Sequence, residues 1–146
     1  MSIREDILAL VVEYSDVDLR HFDPSDVFIG NGIEGDDADE LLKAFAETFE
    51  VDLSQFIDYF HFVGDEPPMG RREFPVDADG KVIPFWPVTL DMLVDAAEAG
   101  HWTLVYPEHE VRTSLWWRVF EYGALALLLV AAPMFIAYEI VKWVRS

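Results

Sequence analysis

The sequence predicts an all-α domain with one short inserted β-hairpin, followed by a single transmembrane helix. Three observations support this prediction. Apolar residues recur every three or four positions in several segments, which is the period of a helix with one buried face. A Pro- and Gly-rich stretch contains a hairpin pattern, and the C-terminal part has a long run without charges. The domain is expected over residues 1–111 and the membrane anchor over residues 112–146.

Charge and hydrophobicity are segregated along the chain. Residues 1–111 hold 6 Lys/Arg and 26 Asp/Glu, whereas residues 112–146 hold 4 Lys/Arg and 2 Asp/Glu. The first part is therefore strongly acidic, which repels nucleic acid and favours basic protein partners. The chain has no cysteine, which excludes disulfides, thiolate metal sites and thiol nucleophiles.

The first helix is expected from residue 2 to about residue 13. Ser2 and Glu5 have the spacing of a capping box. The apolar positions with helical spacing are Ile3, Ile7, Leu10, Val11 and Tyr14. Residues 15–32 contain Pro24 and two glycines among scattered apolar residues, so they predict an ordered loop packed on the core.

The second helix is expected over residues 37–50, with Asp36 or Asp37 capping its first turn. Its apolar positions are Leu41, Leu42, Phe45 and Phe49. Residues 51–60 are rich in aromatic and aliphatic side chains. They predict a short third helix or turn that closes the core.

The segment from residue 64 to residue 87 predicts an excursion with one hairpin, because Asp79-Gly80 lies between short apolar runs. Thr89 is the expected cap of the last helix of the domain, which ends at Gly100. Residues 102–106 are expected to be extended, and Pro107 ends that segment.

The transmembrane helix is expected over about residues 119–141. Residues 122–138 form a run of 17 without a charge, and as a helix this run spans about 26 Å, close to the thickness of the hydrocarbon core. Pro133 lies inside it, which membrane helices tolerate. The flanking aromatic and basic residues are Trp116, Trp117, Arg118, Lys142, Trp143 and Arg145. A buried core helix is the alternative, but so small a domain cannot cover a helix that is apolar on every side.

The expected orientation places the acidic domain in the cytoplasm. The N-terminus has acidic residues and no long apolar core, so it does not look like a signal peptide. The flanking cations are balanced, with Arg112 and Arg118 before the span and Lys142 and Arg145 after it. The positive-inside rule therefore gives no preference.

The second predicted helix resembles that of acyl carrier proteins. The matching residues are Gly32-Ile33-Glu34-Gly35-Asp36-Asp37, Glu40-Leu41-Leu42, Phe45, Phe49 and Val51-Asp52-Leu53. Thr89-Leu90, at the head of the last predicted helix, resembles the threonine-led start of the last helix in carriers. The resemblance implies an acyl-carrier-like four-helix bundle, in which a serine at the start of the second helix carries phosphopantetheine. Gly35 occupies that position and has no hydroxyl to form the phosphodiester. No cofactor is therefore expected.

A closer resemblance is to the uncharacterised bacterial family named domain of unknown function 1493. Two segments carry it, GDDADELLKAFAETFEVDLSQF and VTLDMLVDAAEAGHW, and it covers about residues 3–105. Members of this family share the GDD in place of the serine motif. The resemblance implies a bacterial protein, so the expected location is the inner membrane. The family has no assigned activity.

The expected function is that of a non-enzymatic interaction module tethered to the membrane. Carriers present their acidic second helix to basic patches on enzymes, and the corresponding residues here are Glu34, Asp36, Asp37, Asp39, Glu40 and Glu47. Three alternatives stay open. The first is an inhibitory or immunity-type membrane protein, and the second is a genuine carrier that uses an atypical serine. In the third, the acidic residues only solvate an exposed helix.

No catalytic or metal site is expected. Asp77-Ala78-Asp79-Gly80 begins like a calcium loop, but Lys81 and Val88 stand where oxygen ligands are needed. The histidines are dispersed and are expected at the surface or the edge of the core: His21, His61, His101 and His109. Glu121 and Glu139 are expected near the two membrane interfaces, on roughly one side of the helix.

Overall fold

The computed structural model describes residues 2–64 and 71–145 and is mostly helical, with one small two-stranded sheet. The elements are α1 (Ile3–Tyr14), α2 (Gly35–Phe49), β1 (Glu73–Val76), α3 (Leu90–Ala99), β2 (Glu110–Thr113) and α4 (Leu115–Arg145). Two 3-10 turns lie at Ile29–Asn31 and Asp58–Phe60. The chain divides into two compact units, Met1–Arg112 and Thr113–Ser146.

The core of the first unit lies between α1 and the two helices that pack on it, α2 and α3. Each helix contributes one buried side: Ile7 and Val11 from α1, Ala38, Leu41 and Phe45 from α2, and Leu90, Leu93 and Ala96 from α3. Loop residues complete the core, among them Val27, Phe28, Ile33, Phe62 and Trp102. The periodicity of the sequence predicts Ile7, Val11, Leu41 and Phe45 on the buried sides of α1 and α2.

Local capping signals set the ends of α1 and α3, as predicted. The Ser2 hydroxyl accepts the Glu5 N–H at 3.3 Å, and the Glu5 carboxylate accepts the Ser2 N–H at 2.8 Å. The Thr89 hydroxyl accepts the Met92 N–H at 3.2 Å. Gly100 ends α3 in the left-handed conformation, with φ of 72°.

One buried asparagine orders the loop between α1 and α2. Asn31 is 1% exposed, and its Nδ2 donates to the carbonyl oxygens of Asp23, Asp26 and Val27 at 2.8, 2.7 and 3.2 Å. Its Oδ1 accepts the Asp23 N–H at 2.7 Å. Val27 and Phe28 are fully buried. The prediction of an ordered loop is confirmed, because this side chain pairs main-chain groups that no helix or strand satisfies.

The start of α2 differs from the prediction. The helix begins at Gly35, after Glu34 as the N-cap residue, and within the described residues no side chain caps it. Gly35 has φ of 58°, and its N–H donates to the Val63 carbonyl at 3.1 Å. Asp36 and Asp37 lie inside the first turn. Because both residues are already helical, their carboxylates interact favourably with the helix dipole and do not act as the N-cap.

The predicted hairpin turn forms, but its two arms pair over a single bridge. Gly80 has φ of 77°, and its N–H donates to the Asp77 carbonyl at 2.9 Å. Val76 and Val82 form an isolated antiparallel bridge. The second arm stops at Pro84, which lacks the N–H needed to continue a ladder. The strand partner of β1 is instead β2, far along the chain.

The short third helix predicted over residues 51–60 is reduced to the 3-10 turn Asp58–Phe60. Phe60, His61 and Phe62 are all buried, although they are consecutive. A regular amphipathic helix buries only one side, so it cannot bury three neighbours at once. The predicted closing of the core by aromatic residues is confirmed for this segment.

The second unit consists mainly of α4, a continuous helix of 31 residues that includes Pro133. None of its described side chains is buried. The most apolar window has a mean hydropathy of 2.2, so the helix is long and apolar enough to cross a membrane. The predicted span, residues 119–141, lies inside this candidate membrane helix.

Candidate functional site

The six acidic residues expected to contact a partner share the exposed side of α2 and its N-cap. All of them are exposed: Glu34, Asp36, Asp37, Asp39, Glu40 and Glu47. The opposite side of the helix is buried through Ala38, Leu41 and Phe45. These six residues are called the acidic face below. Their exposure follows from the helical period, because the apolar positions fix which side meets the core.

One cation, Lys43, lies among these carboxylates. Lys43 is exposed and is separated from Asp39, Glu40 and Glu47 by three or four residues, a spacing that puts side chains within reach of one another on a helix. It forms no ion pair in the part of the chain that the structure describes. The acidic face therefore keeps a large excess of negative charge.

The charge of the acidic face extends to a residue that the sequence reasoning did not select. The pKa of the Asp39 carboxyl is raised by partial burial and by the negative charges of Asp58 and Asp36. Asp58 is exposed and belongs to the 3-10 turn after α2. Only the folded chain brings Asp58 close to Asp39, so no spacing in the sequence indicates it. Burial is the largest cause of the raised pKa, and the charges of Asp58 and Asp36 add to it.

Two arginines of the first unit contact elements other than α2, although Arg71 lines the same pocket as Asp58. Arg4 of α1 forms an ion pair with Asp91 of α3. The Arg71 guanidinium lies 3.9 Å from the centroid of the Phe85 ring, and it donates to the Ile83 carbonyl at 3.1 Å. These contacts hold both guanidinium groups on elements other than α2. They do not neutralise α2.

The backbone at the start of α2 requires glycine. A Cβ built on Gly35 meets no atom within 4 Å, so space is not the constraint. The constraint is φ of 58°, the left-handed region that costs other residues about 1–2 kcal/mol. A serine at this position would therefore be strained. The Ser25 and Ser54 amides donate to the Asp23 and Asp52 carboxylates, at 2.8 Å each, so both serines lie in local turns rather than at a helix start.

A buried polar network joins two distant parts of the first unit. His61 is 1% exposed, and its Nε2 lies 2.7 Å from the Tyr106 hydroxyl. The same hydroxyl accepts the Trp102 Nε1–H at 3.0 Å and the Ile57 N–H at 3.2 Å. The His61 Nδ1 lies 2.7 Å from the carbonyl oxygen of Trp86. Every polar atom of the imidazole therefore has a partner.

These contacts determine the protonation state of His61. The Tyr106 hydroxyl accepts two N–H groups, so its own hydrogen is directed at the Nε2 of His61. Nε2 then acts as an acceptor, and Nδ1–H donates to the Trp86 carbonyl. Burial lowers the pKa of His61, which agrees with a neutral ring. The expectation that this histidine lies at the surface or core edge is wrong, because its two polar partners allow full burial.

The other histidines and the calcium-like segment have local roles. His21 lies 2.8 Å from the Asp18 carboxylate, and the Nε2 of His109 lies 2.9 Å from the Tyr59 hydroxyl. The Asp77 carboxylate accepts main-chain N–H groups of its own turn. No group of three or more His, Asp or Glu side chains that could hold a metal ion occurs within residues 2–64 and 71–145.

The expected membrane residues Trp117, Pro133 and Trp143 all lie in α4. Trp143 is 79% exposed and lies beside Lys142 near the C-terminal end of the helix. Glu139 lies 4.0 Å from Lys142, one turn along the helix. This ion pair partly neutralises the C-terminal end of the expected span.

Comparison with known proteins identifies the family of the first unit. A family model described as "Protein of unknown function (DUF1493)" matches residues 2–106. The match covers α1, α2, β1 and α3 and ends before β2 and α4. No curated protein and no solved structure matches the chain.

Proposed function

The chain belongs to the family of unknown function DUF1493, and from this premise we propose that it is a non-enzymatic interaction module that docks a basic protein partner through the acidic face. The observation that carries the proposal is the negative potential of that face. Six exposed carboxylates share it, and Asp58 adds a further negative charge beside Asp39. Basic surfaces are the natural complement, since opposite potentials steer association and fix orientation.

An acyl-carrier-like fold of the first unit is part of the same proposal. Its support is the order of elements, in which a long loop leads from α1 to an acidic α2, and α3 follows after a 3-10 turn. Gly35 lies at the position of the carrier serine, and its φ of 58° favours glycine there. This combination supports a carrier-like docking helix that has no prosthetic group.

The proposed location is the inner membrane of a bacterium, with α4 as a single-pass anchor and the acidic unit in the cytoplasm. The support is the length and hydropathy of α4. Only Ser114 separates β2 from α4 along the chain, so the tether between the sheet and the membrane anchor is short. A short tether raises the effective concentration of the acidic face for partners at the same membrane.

Charge reversal on α2 tests the docking proposal. The triple variant Asp36→Lys, Asp37→Lys, Glu40→Lys is made in the full chain, and partners are recovered from membranes after crosslinking. Recovery of the main crosslinked protein should fall by more than a hundredfold, because three close charge pairs that each couple by about 1.5 kcal/mol are together worth more than a thousandfold in affinity. Lys43→Glu adds negative charge to the same face, and it should raise recovery.

The matched control reverses three exposed acids away from α2: Glu13→Lys, Asp95→Lys and Glu98→Lys. The control has the same net charge as the α2 variant. It therefore separates a loss of recovery caused by the acidic face from one caused by the total charge of the unit. Equal losses in both triple variants would contradict docking through α2, and so would unchanged recovery in the α2 variant.

Intact mass tests the absence of the carrier arm. The full chain is co-expressed with a phosphopantetheinyl transferase of broad specificity and then weighed by mass spectrometry. We expect the mass of the unmodified chain, since Gly35 offers no hydroxyl. An added phosphopantetheine would assign the protein to the genuine carriers instead, and peptide mapping would then identify the serine.

A further inference from the structure

The segment between α3 and β2 is extended and alternates in burial, like a strand without a sheet. Trp102 is buried and Leu104 and Tyr106 are half-buried, whereas Thr103 and Val105 are exposed. Val105 is 85% exposed, the highest value among the large apolar side chains of the first unit. Residues 102–107 are called the extended segment below. Side chains that alternate in this way are typical of a strand.

Most main-chain N–H groups of the extended segment have no hydrogen-bond partner among the residues that the structure describes. The Trp102 N–H donates to the Asp52 carbonyl at 2.9 Å, which closes an isolated parallel bridge between Asp52 and His101. The main-chain N–H groups of Thr103, Leu104 and Val105 make no hydrogen bond to any residue that the structure describes. An unpaired extended backbone is a template on which another chain can add a strand.

A groove also lies beside the extended segment, on the side that the Trp102 N–H faces. The groove holds about 590 Å³ and lies between residues 54–57 on one wall and residues 101–107 on the other. Side chains from both walls line it, including Ile57, Leu104 and Tyr106. The Tyr106 hydroxyl is tied to the Ile57 N–H at 3.2 Å, so the two walls are joined at that point.

The charge at the two ends of the extended segment indicates the chemistry of the chain that pairs with it. Exposed carboxylates lie at both ends, Asp52 beside His101 and Glu108 and Glu110 after the extended segment. Hydrogen bonds from Ser54 lower the pKa of Asp52, which keeps that carboxylate ionised. A second copy of this chain would bring another strongly acidic unit to the same place, so like charges disfavour it. The complement is a basic chain.

We propose that the extended segment pairs, strand to strand, with an extended basic segment of a partner protein, whose Lys and Arg side chains reach Asp52, Glu108 and Glu110. This site is separate from the acidic face of α2. It recognises the partner through main-chain hydrogen bonds as well as through charge. The proposal rests on the proposed function only for the basic character of the partner.

The test uses the full chain in lipid nanodiscs and a blocked heptapeptide, Lys-Val-Lys-Val-Lys-Val-Lys, as the probe. Hydrogen exchange is followed by mass spectrometry with fragmentation to single amides. At a peptide concentration about ten times the measured dissociation constant, exchange at Thr103 and Val105 should slow about tenfold. The Leu104 N–H points to the opposite edge, the one that the Trp102 N–H faces, so its exchange should change less. The same peptide with N-methyl groups on its lysines and its valines keeps its charge but is blocked for pairing along both edges, so it should give no such protection.

Two variants separate pairing from side-chain contact. Val105→Pro removes one unpaired main-chain donor at a highly exposed position, and it should abolish the protection by the heptapeptide. Val105→Ala keeps the donor and should be protected like the natural chain. Unchanged exchange in α1 and α3 shows that each variant is folded, and the comparison of the two peptides on the natural chain does not depend on either variant.

Several outcomes would overturn the proposal. Equal protection by both peptides would show that charge alone explains the binding. No protection at residues 103–105 would show that the extended segment does not pair with the peptide. Protection that rises with protein concentration and needs no peptide would assign the segment to a second copy. In the α2 variant Asp36→Lys, Asp37→Lys, Glu40→Lys, protection should persist at residues 103–105. This outcome separates the extended segment from docking through α2, because either site can fail while the other remains.

Discussion

The first unit and α4 differ in where their apolar side chains find an apolar environment. In the first unit, residues such as Ile7, Leu41 and Leu93 are at most 1% exposed, because the helices cover one another. In α4 no described side chain is buried. Leu129 of α4 is 67% exposed and Leu19 of the first unit is 61% exposed. Exposure alone therefore does not distinguish a leucine at an ordinary surface from one that meets lipid.

The neighbours of the two leucines make the difference. Leu19 lies between Asp18 and Arg20 in a polar loop, whereas Leu129 lies near the middle of the charge-free residues 122–138. A single exposed leucine on a soluble surface is common. A helix apolar on every side is stable only where its surroundings are apolar too. Leu129, unlike Leu19, thus belongs to a helix that is long and apolar enough to cross a membrane.

The largest predicted effect comes from an arginine at these two leucines. Leu129→Arg places a charge near the centre of the candidate span, at a cost of about 3 kcal/mol for insertion, so the carbonate-resistant membrane fraction should fall more than tenfold. Leu19→Arg makes the same substitution at similar exposure, and its membrane fraction should equal that of the natural chain. A natural membrane fraction in Leu129→Arg would show that α4 does not span the bilayer.

The next effect is a dependence of stability on pH that belongs to the first unit. Burial lowers the pKa of His61 below its usual value of 6.5, so the unfolded chain binds this proton more readily than the folded chain. The stability that neutral His61 provides is complete above pH 6.5 and is lost as the pH falls toward the folded pKa. The loss is at most about 1.4 kcal/mol per pH unit. Pulse proteolysis in urea between pH 7.5 and 5.5, on the full chain in nanodiscs, measures it.

His61→Gln is the control for this pH dependence, because glutamine stays neutral throughout the range. The other histidines, His21, His101 and His109, are present in both proteins, so their titration cancels in the difference between the two profiles. The natural chain should lose more stability on acidification than the variant. Parallel profiles would contradict a neutral, buried His61.

Local features of the fold are predictable from the sequence because their causes lie within a few residues. The capping residues Ser2 and Thr89, the terminal Gly100 and the turn at Gly80 act on the backbone beside them. The exposed side of α2 follows in the same way from the period of its apolar residues. The sequence alone therefore predicts the acidic face.

Features made by distant residues are not predictable in this way. β1 pairs with β2 rather than with the second arm of its own hairpin. Asp58 joins the acidic face through a turn that follows α2, and Tyr106 meets His61 from 45 positions away. Alternation and spacing describe one segment at a time, so they do not show which segments meet.

The smallest predicted effect is a difference in Tm between alanine substitutions at two glycines, one from each unit. Gly35 and Gly123 both have room for a methyl group, since a Cβ at either position meets nothing within 4 Å. Gly35 has φ of 58°, whereas Gly123 lies inside α4 with an ordinary helical φ. Gly35→Ala should therefore destabilise the first unit by about 1 kcal/mol, a fall of about 4 °C in its Tm. Gly123→Ala should leave that Tm unchanged. Equal Tm values for the two variants would mean that the backbone at the start of α2 relaxes without strain, and that a serine could occupy the carrier position after all.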